Sequence, residues 1–154
     1  MGDKTFSLNP VIVDTITGLH NSSWYTSNNG DVSNNTPSGF FNTKSDMKEL
    51  LGSKFDTTLY TYLIWTAVPF PDETLPRGIA VESSTNLDGV LGGHGPDSWT
   101  GAAGHALGHA FGLYEVVVEN QDGIMSHGWP KYPNCVLKPF EKDSLNASPF
   151  FKVQ

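Results

Sequence analysis

His105-Ala106-Leu107-Gly108-His109-Ala110-Phe111-Gly112-Leu113-Tyr114-Glu115 is the stretch on which the reading of this chain turns. Its apolar residues suit a helix that Asp97 or Ser98 can cap and that Gly112 can end. His105 and His109 stand four residues apart, so on a helix their imidazoles leave one face a turn apart. That is close enough to share one tetrahedral Zn2+ at about 2.0–2.1 Å from each nitrogen. Beyond Gly112 the chain can turn and bring Glu115 back to the same ion. Three protein ligands with one open position describe a catalytic zinc, whereas a structural zinc closes all four positions, usually with thiolates. The chain has a single cysteine, Cys135, which argues against a structural zinc and excludes an internal disulfide. Spacing alone equally describes two histidines on a solvated helix, but Gly101, Gly104, Gly108 and Gly112 stand in or beside it. Each glycine in a helix interior costs roughly 0.8–1.0 kcal/mol relative to alanine. Close packing under a sheet, with room for a ligand at the metal, is the expected compensation.

Outward from this helix the pattern predicts an α+β order. Val11, Ile12 and Val13 suggest a strand over residues 10–17, and the Asn-, Ser- and Gly-rich run from His20 to Phe40 reads as a long surface loop or a ragged hairpin. In that run Trp24, Tyr25, Phe40 and Phe41 are expected to anchor the loop to the body rather than to line a groove. Thr43 and Asp46 form a capping-box pattern that starts a helix with Met47, Leu50 and Leu51 on one face and Gly52 at its end. Leu59 to Ala67 is aromatic and β-branched and is expected to be a central strand buried on both faces. Ile79-Ala80-Val81 is a second strand, and the glycine-rich run from Asn86 to Pro96 is expected to be irregular, with His94 inside it. Pro139 opens a last helix to about Leu145, bounded by Pro149.

The 154 residues, 38% of them hydrophobic, are enough for one domain with one core. Nine Lys and Arg against sixteen Asp and Glu give a net charge of −7, which offers no basic footprint for nucleic acid or an anionic membrane. No apolar run approaches the roughly 20 residues that span a bilayer. Sequons at Asn21, Asn34 and Asn146 would accept glycans in a secretory pathway.

The zinc stretch resembles the extended signature of the metzincin metallopeptidases, H-E-x-x-H-x-x-G-x-x-H/D. Downstream, Asp122-Gly123-Ile124-Met125-Ser126-His127-Gly128-Trp129 resembles their Met-turn. The small chain and the short segment from Glu115 to Met125 are most similar to the minimal secreted metzincins of the snapalysin type. The specific resemblance covers about residues 97–145. It implies a metzincin-like α+β domain over residues 1–154. An upper subdomain, about 1–112, would carry a twisted mixed sheet over the zinc helix; a lower one, about 113–154, would hold the Met-turn and a final helix. It further implies a secreted, monomeric zinc endopeptidase acting on protein or peptide, whose leader or propeptide is missing from this chain. Met125 would lie under the zinc as an apolar floor without coordinating it.

Three positions depart from the family. Where it has its catalytic glutamate this chain has Ala106. In the family that glutamate activates water at the zinc and passes its proton to the leaving amine, work worth roughly 10²- to 10⁴-fold in rate. The expectation is therefore a zinc-binding but inactive chain. Either the glutamate was replaced by design, as the Met1-Gly2 start of a recombinant chain suggests, or the protein is a natural pseudoprotease that binds peptides uncut. Second, Glu115 replaces the family's His or Asp; it is the favoured third ligand, with Glu119, Asp122 or His127 as alternatives. Third, His127 stands where several groups carry a tyrosine that donates to the reaction's oxyanion, a bond an imidazole can also supply, although an ordinary turn histidine fits as well. His20 and His94 have no partner at ligand spacing.

Overall fold

The computed structural model describes residues 4–5, 15–27, 38–69, 77–93, 96–116, 122–126 and 129–153. Four short strands and five α-helices follow one another along them: β1 (Lys4–Thr5), α1 (Ser22–Tyr25), α2 (Ser38–Leu51), β2 (Tyr62–Trp65), β3 (Ile79–Glu82), α3 (Ser84–Asp88), α4 (Pro96–Ala110), α5 (Pro139–Ala147) and β4 (Lys152–Val153). The α+β order holds. Among the described residues the strands form two separate pairs, β2 with β3 in parallel and β1 with β4 antiparallel, not one larger mixed sheet.

The core gathers Phe40 of α2, Tyr62 of β2, Ile79, Ala80 and Val81 of β3, and Ala110 of α4. Phe40 and Ile79 are wholly buried, each worth about 1.5–3 kcal/mol of transfer free energy. β3, not β2, is the fully enclosed strand: all four of its residues are buried, while Leu63 of β2 and Leu59 before it are exposed. The expectation that Leu59 to Ala67 is buried on both faces therefore fails. An apolar run reports that a strand can be buried; the helices packed on it decide whether it is. β3 lies against α4, and the Gly78 N–H at its entrance donates to the Ala110 carbonyl at the helix end (2.7 Å).

Three other expectations are corrected. Thr43 and Asp46 do not start a helix, since α2 begins five residues earlier and places Thr43 in its buried interior. Phe40, Met47 and Leu51 repeat along one helical stripe, and burying that stripe outweighs the local capping pattern. The run from His20 to Phe40 is not all loop, because Asn21 caps α1 by accepting from the Trp24 N–H (3.1 Å) and α2 opens at Ser38. Nor is the run from Asn86 to Pro96 irregular throughout: Ser83 caps α3, and a wide helical turn over Gly89–Gly93 follows, with Gly92 at φ 103°. The anchoring role holds for Tyr25 and Phe40, which are buried. The strand expected around Val11–Val13, His94, the sequon at Asn34 and most of the turn from Pro69 to Gly78 lie outside the described residues.

α4 begins at Pro96, so Asp97 sits within its first turn, where a carboxylate favours the helix dipole. Ser98 is not its cap but donates to the Pro130 carbonyl (3.3 Å). The helix ends where the sequence places the end. Gly112 takes φ 95°, its N–H donates to the His109 carbonyl (2.8 Å), and the Leu113 N–H reaches back to Gly108 (2.9 Å). That pair of bonds closes a Schellman cap and reverses the chain toward Glu115.

Candidate metal centre

α4 presents His105 and His109 from successive turns, their rings nearly perpendicular at 86° with centroids 4.7 Å apart. The Nε2 atoms lie 3.1 Å apart, and Glu115 Oε2 stands 3.2 Å from His105 Nε2 and 3.3 Å from His109 Nε2. Two ligands at about 2.05 Å on a tetrahedral ion are about 3.3 Å apart, so the triangle has the size such an ion needs. Among the described residues, His105, His109 and Glu115 form the one group of three or more His, Cys, Asp or Glu side chains able to hold a metal ion. His109 is buried, His105 is partly covered and Glu115 is 45% exposed, so the site opens on the carboxylate side.

The tautomers are set by the backbone. His105 Nδ1 lies 2.7 Å from the Ile124 carbonyl and His109 Nδ1 lies 3.0 Å from the Leu113 carbonyl. A carbonyl only accepts, so both rings carry their proton on Nδ1 and donate it. In the neutral rings both Nε2 atoms then carry the lone pair, facing each other and a carboxylate oxygen. Three electron-rich atoms at this spacing repel unless a proton or a cation stands among them, and a metal ion answers all three at once. Paired Nδ1–H···O=C bonds of this kind are what orients metal-ligating histidines.

The segment from Asp122 to Ser126 packs on α4. Ser126 folds the turn by donating its N–H (3.1 Å) and Oγ–H (2.9 Å) to the Gly123 carbonyl. The Val116 N–H donates to the Met125 carbonyl (2.9 Å), which ties the residue after Glu115 to this turn. Met125 is wholly buried, and its sulfur would stand 2.3 Å from a Cβ built on Gly108, one residue before His109. Met125 thus packs on α4 beside the histidine turns, and Ile124, its neighbour, supplies the carbonyl that orients His105.

The glycines of α4 make room for the chain at Ile124, Met125 and Trp129, and Gly112 past its end makes room for Arg77, rather than for a sheet. A Cβ at Gly101 would meet the Trp129 carbonyl oxygen at 2.0 Å, one at Gly104 the Ile124 side chain at 2.9 Å, and one at Gly112 the Arg77 guanidinium. The strands instead face the alanines of the helix, with Ala110 in the core and half-buried Ala106 packed against it.

Of the alternative ligands, Asp122 is not in the group: its carboxylate pairs with the Lys138 ammonium, which holds its pKa below the usual value. Glu119 and His127 lie outside the described residues. His20 does have a partner that spacing could not show. Its ring stacks on Trp24 (centroids 3.8 Å) and its Nε2 lies 3.6 Å from Asp46 Oδ1. Asp46, buried on α2, also accepts from the Leu19 N–H (2.9 Å) and the Tyr25 hydroxyl, a cluster joined only by folding.

No known protein family, curated protein or solved structure matches this chain.

Proposed function

We propose that His105, His109 and Glu115 bind Zn2+ and that the chain is a metzincin-type zinc endopeptidase lacking its general base. One observation carries the reading: two Nε2 atoms and a carboxylate oxygen converge at 3.1–3.3 Å while both Nδ1 atoms lie on backbone carbonyls. Two imidazoles and one carboxylate are a common donor set for catalytic zinc, where a fourth position stays open. Zinc in that position supplies a Lewis acid for a peptide carbonyl and for water. The chain's own residues then divide the remaining work. His109 and His105 hold fixed tautomers, Glu115 adds negative charge from the exposed side, and Met125 packs beneath the helix. Ala106 provides no group that can take a proton, so the chain as it stands binds without cutting.

In this reading residues 1–112 and 113–154 are the two halves of one secreted, monomeric domain, protein or peptide lies between them, and His127 is the oxyanion donor. Ala106→Glu tests it. The variant gains cleavage of casein or a peptide library of at least about 10²-fold over the parent, abolished by a chelator, with self-cleavage between His20 and Phe40. The second reading, a natural zinc-binding pseudoprotease, is favoured by the methyl of Ala106 seated against the core. It becomes the better one if Ala106→Glu folds and holds zinc yet cleaves nothing.

A further inference from the structure

The turn that orients His105 is tied to α5 through one charged side chain. The Asp122 carbonyl accepts from the Val136 N–H (2.8 Å), and the Ile124 N–H donates to the Val136 carbonyl (2.9 Å), a short parallel bridge at Gly123. Lys138, two residues beyond Val136, places its ammonium on the Asp122 carboxylate and its stem over Gly123, where a built Cβ would lie 3.3 Å from Lys138 Cε. Lys138 is itself fixed at its backbone: its N–H donates to Glu141 Oε2 (2.6 Å). Glu141 is 1% exposed, and its Oε1 has no hydrogen-bond partner. A glutamate at the third position of a helix that reaches back to the N-cap N–H in this way fixes the start of α5.

These contacts form a continuous path from buried Glu141 through Lys138 and Asp122 to the Ile124 carbonyl, and from there to His105 Nδ1. We propose that Lys138 is a positioning residue for the metal centre, anchored by Glu141 and acting through Asp122 to fix the turn whose Ile124 carbonyl orients His105. The inference rests on reading His105, His109 and Glu115 as a metal site. An exposed ion pair contributes little to global stability, so an isolated surface role would leave metal affinity untouched. A ligand's outer hydrogen-bond partner is different: its loss typically weakens metal binding 10- to 100-fold.

The experiment is a competition titration of Zn2+ against a chromophoric chelator, using the full chain and the variants Lys138→Met, Lys138→Arg, Asp122→Asn, the Met/Asn double and His105→Ala. Lys138→Met should weaken zinc about tenfold, Lys138→Arg should restore the parent affinity, and the double variant should be no weaker than either single. The gap between parent and Lys138→Met should close toward 1 M salt, where the Debye length falls to about 3 Å. Metal-free Lys138→Met should melt with the metal-free parent. Unchanged zinc affinity in Lys138→Met, additive losses in the double variant, or a metal-free variant that melts well below the parent overturns the positioning role. A parent that binds zinc no better than His105→Ala overturns the metal reading beneath it, an outcome separate from the others.

Discussion

At Tyr25 a single hydroxyl joins two segments far apart in sequence. Burial first, and then its hydrogen bond to the Asp46 carboxylate and that group's charge, push the phenol up to about 12. A pKa raised in the folded state adds stability that is whole below the ordinary phenol value near 10 and is lost as pH climbs through about 12. Titrated at 295 nm, the protein should therefore show a late tyrosine ionisation, and that step should disappear in Tyr25→Phe. If Tyr25→Phe leaves the late step in place, the assignment is wrong. The same variant leaves Asp46 with the Leu19 N–H and the distant His20 as partners, so it should destabilise by about 1–3 kcal/mol in urea unfolding. Glu115 makes a parallel point about single residues. The sequence offered four acidic or histidine positions for the third ligand, and among the described residues the Schellman turn at Gly112 delivers Glu115 to the two imidazoles.

α4 combines two faces with opposite demands. Ala106 and Ala110 close the core against β3, while its glycines admit the chain at Trp129, Ile124 and Met125. In an exposed helix Gly→Ala would add roughly 0.8–1.0 kcal/mol of stability. Here the sign should reverse wherever the obstacle cannot move. Gly101→Ala meets a backbone carbonyl at 2.0 Å and should lose about 1–3 kcal/mol, read from the urea midpoint of the chelated protein. Gly104→Ala meets only the tip of Ile124 and should cost less. Gly108→Ala pushes on the Met125 sulfur and so should weaken zinc binding as well as stability, because the turn it displaces carries the Ile124 carbonyl. Equal stability of Gly101→Ala and the parent would contradict the packing described for this face.

Over the molecule as a whole, the candidate metal-binding group joins the helix to the chain beyond it. His105 and His109 belong to α4, Glu115 lies past the cap, and the carbonyls that orient the rings come from Leu113 and Ile124. Binding an ion at that junction must therefore stabilise the fold. Zinc at about 100 times its dissociation constant should add about 2.7 kcal/mol, seen as a rise in melting temperature that a chelator reverses. His109→Ala should abolish the rise and, because the ring is buried and bonded to the Leu113 carbonyl, should also lower the metal-free melting point. A melting temperature indifferent to zinc would remove the metal from the account of this protein.

How much of this was legible in the sequence depends on the range of the interaction involved. α4, its end at Gly112, α5 after Pro139 and the strand at Ile79 were all visible, because helix stops, a proline at a helix start and apolar periodicity are written within a few neighbouring residues. The ligand group was visible too, since the histidine pair needs only one helical turn and Glu115 only one cap. The start of α2, the helix after Ser83 and the exposure of Leu63 were not, because each depends on which faces find apolar cover. Nor could sequence show why α4 carries its glycines, what partners His20, or which carbonyls fix the imidazole tautomers. By itself the sequence determined the α+β order and the histidine pair, with Glu115 the favoured third of four candidates. Tertiary structure alone decided how the two rings are oriented, because the Ile124 and Leu113 carbonyls reach them only after the chain has folded back across Gly112.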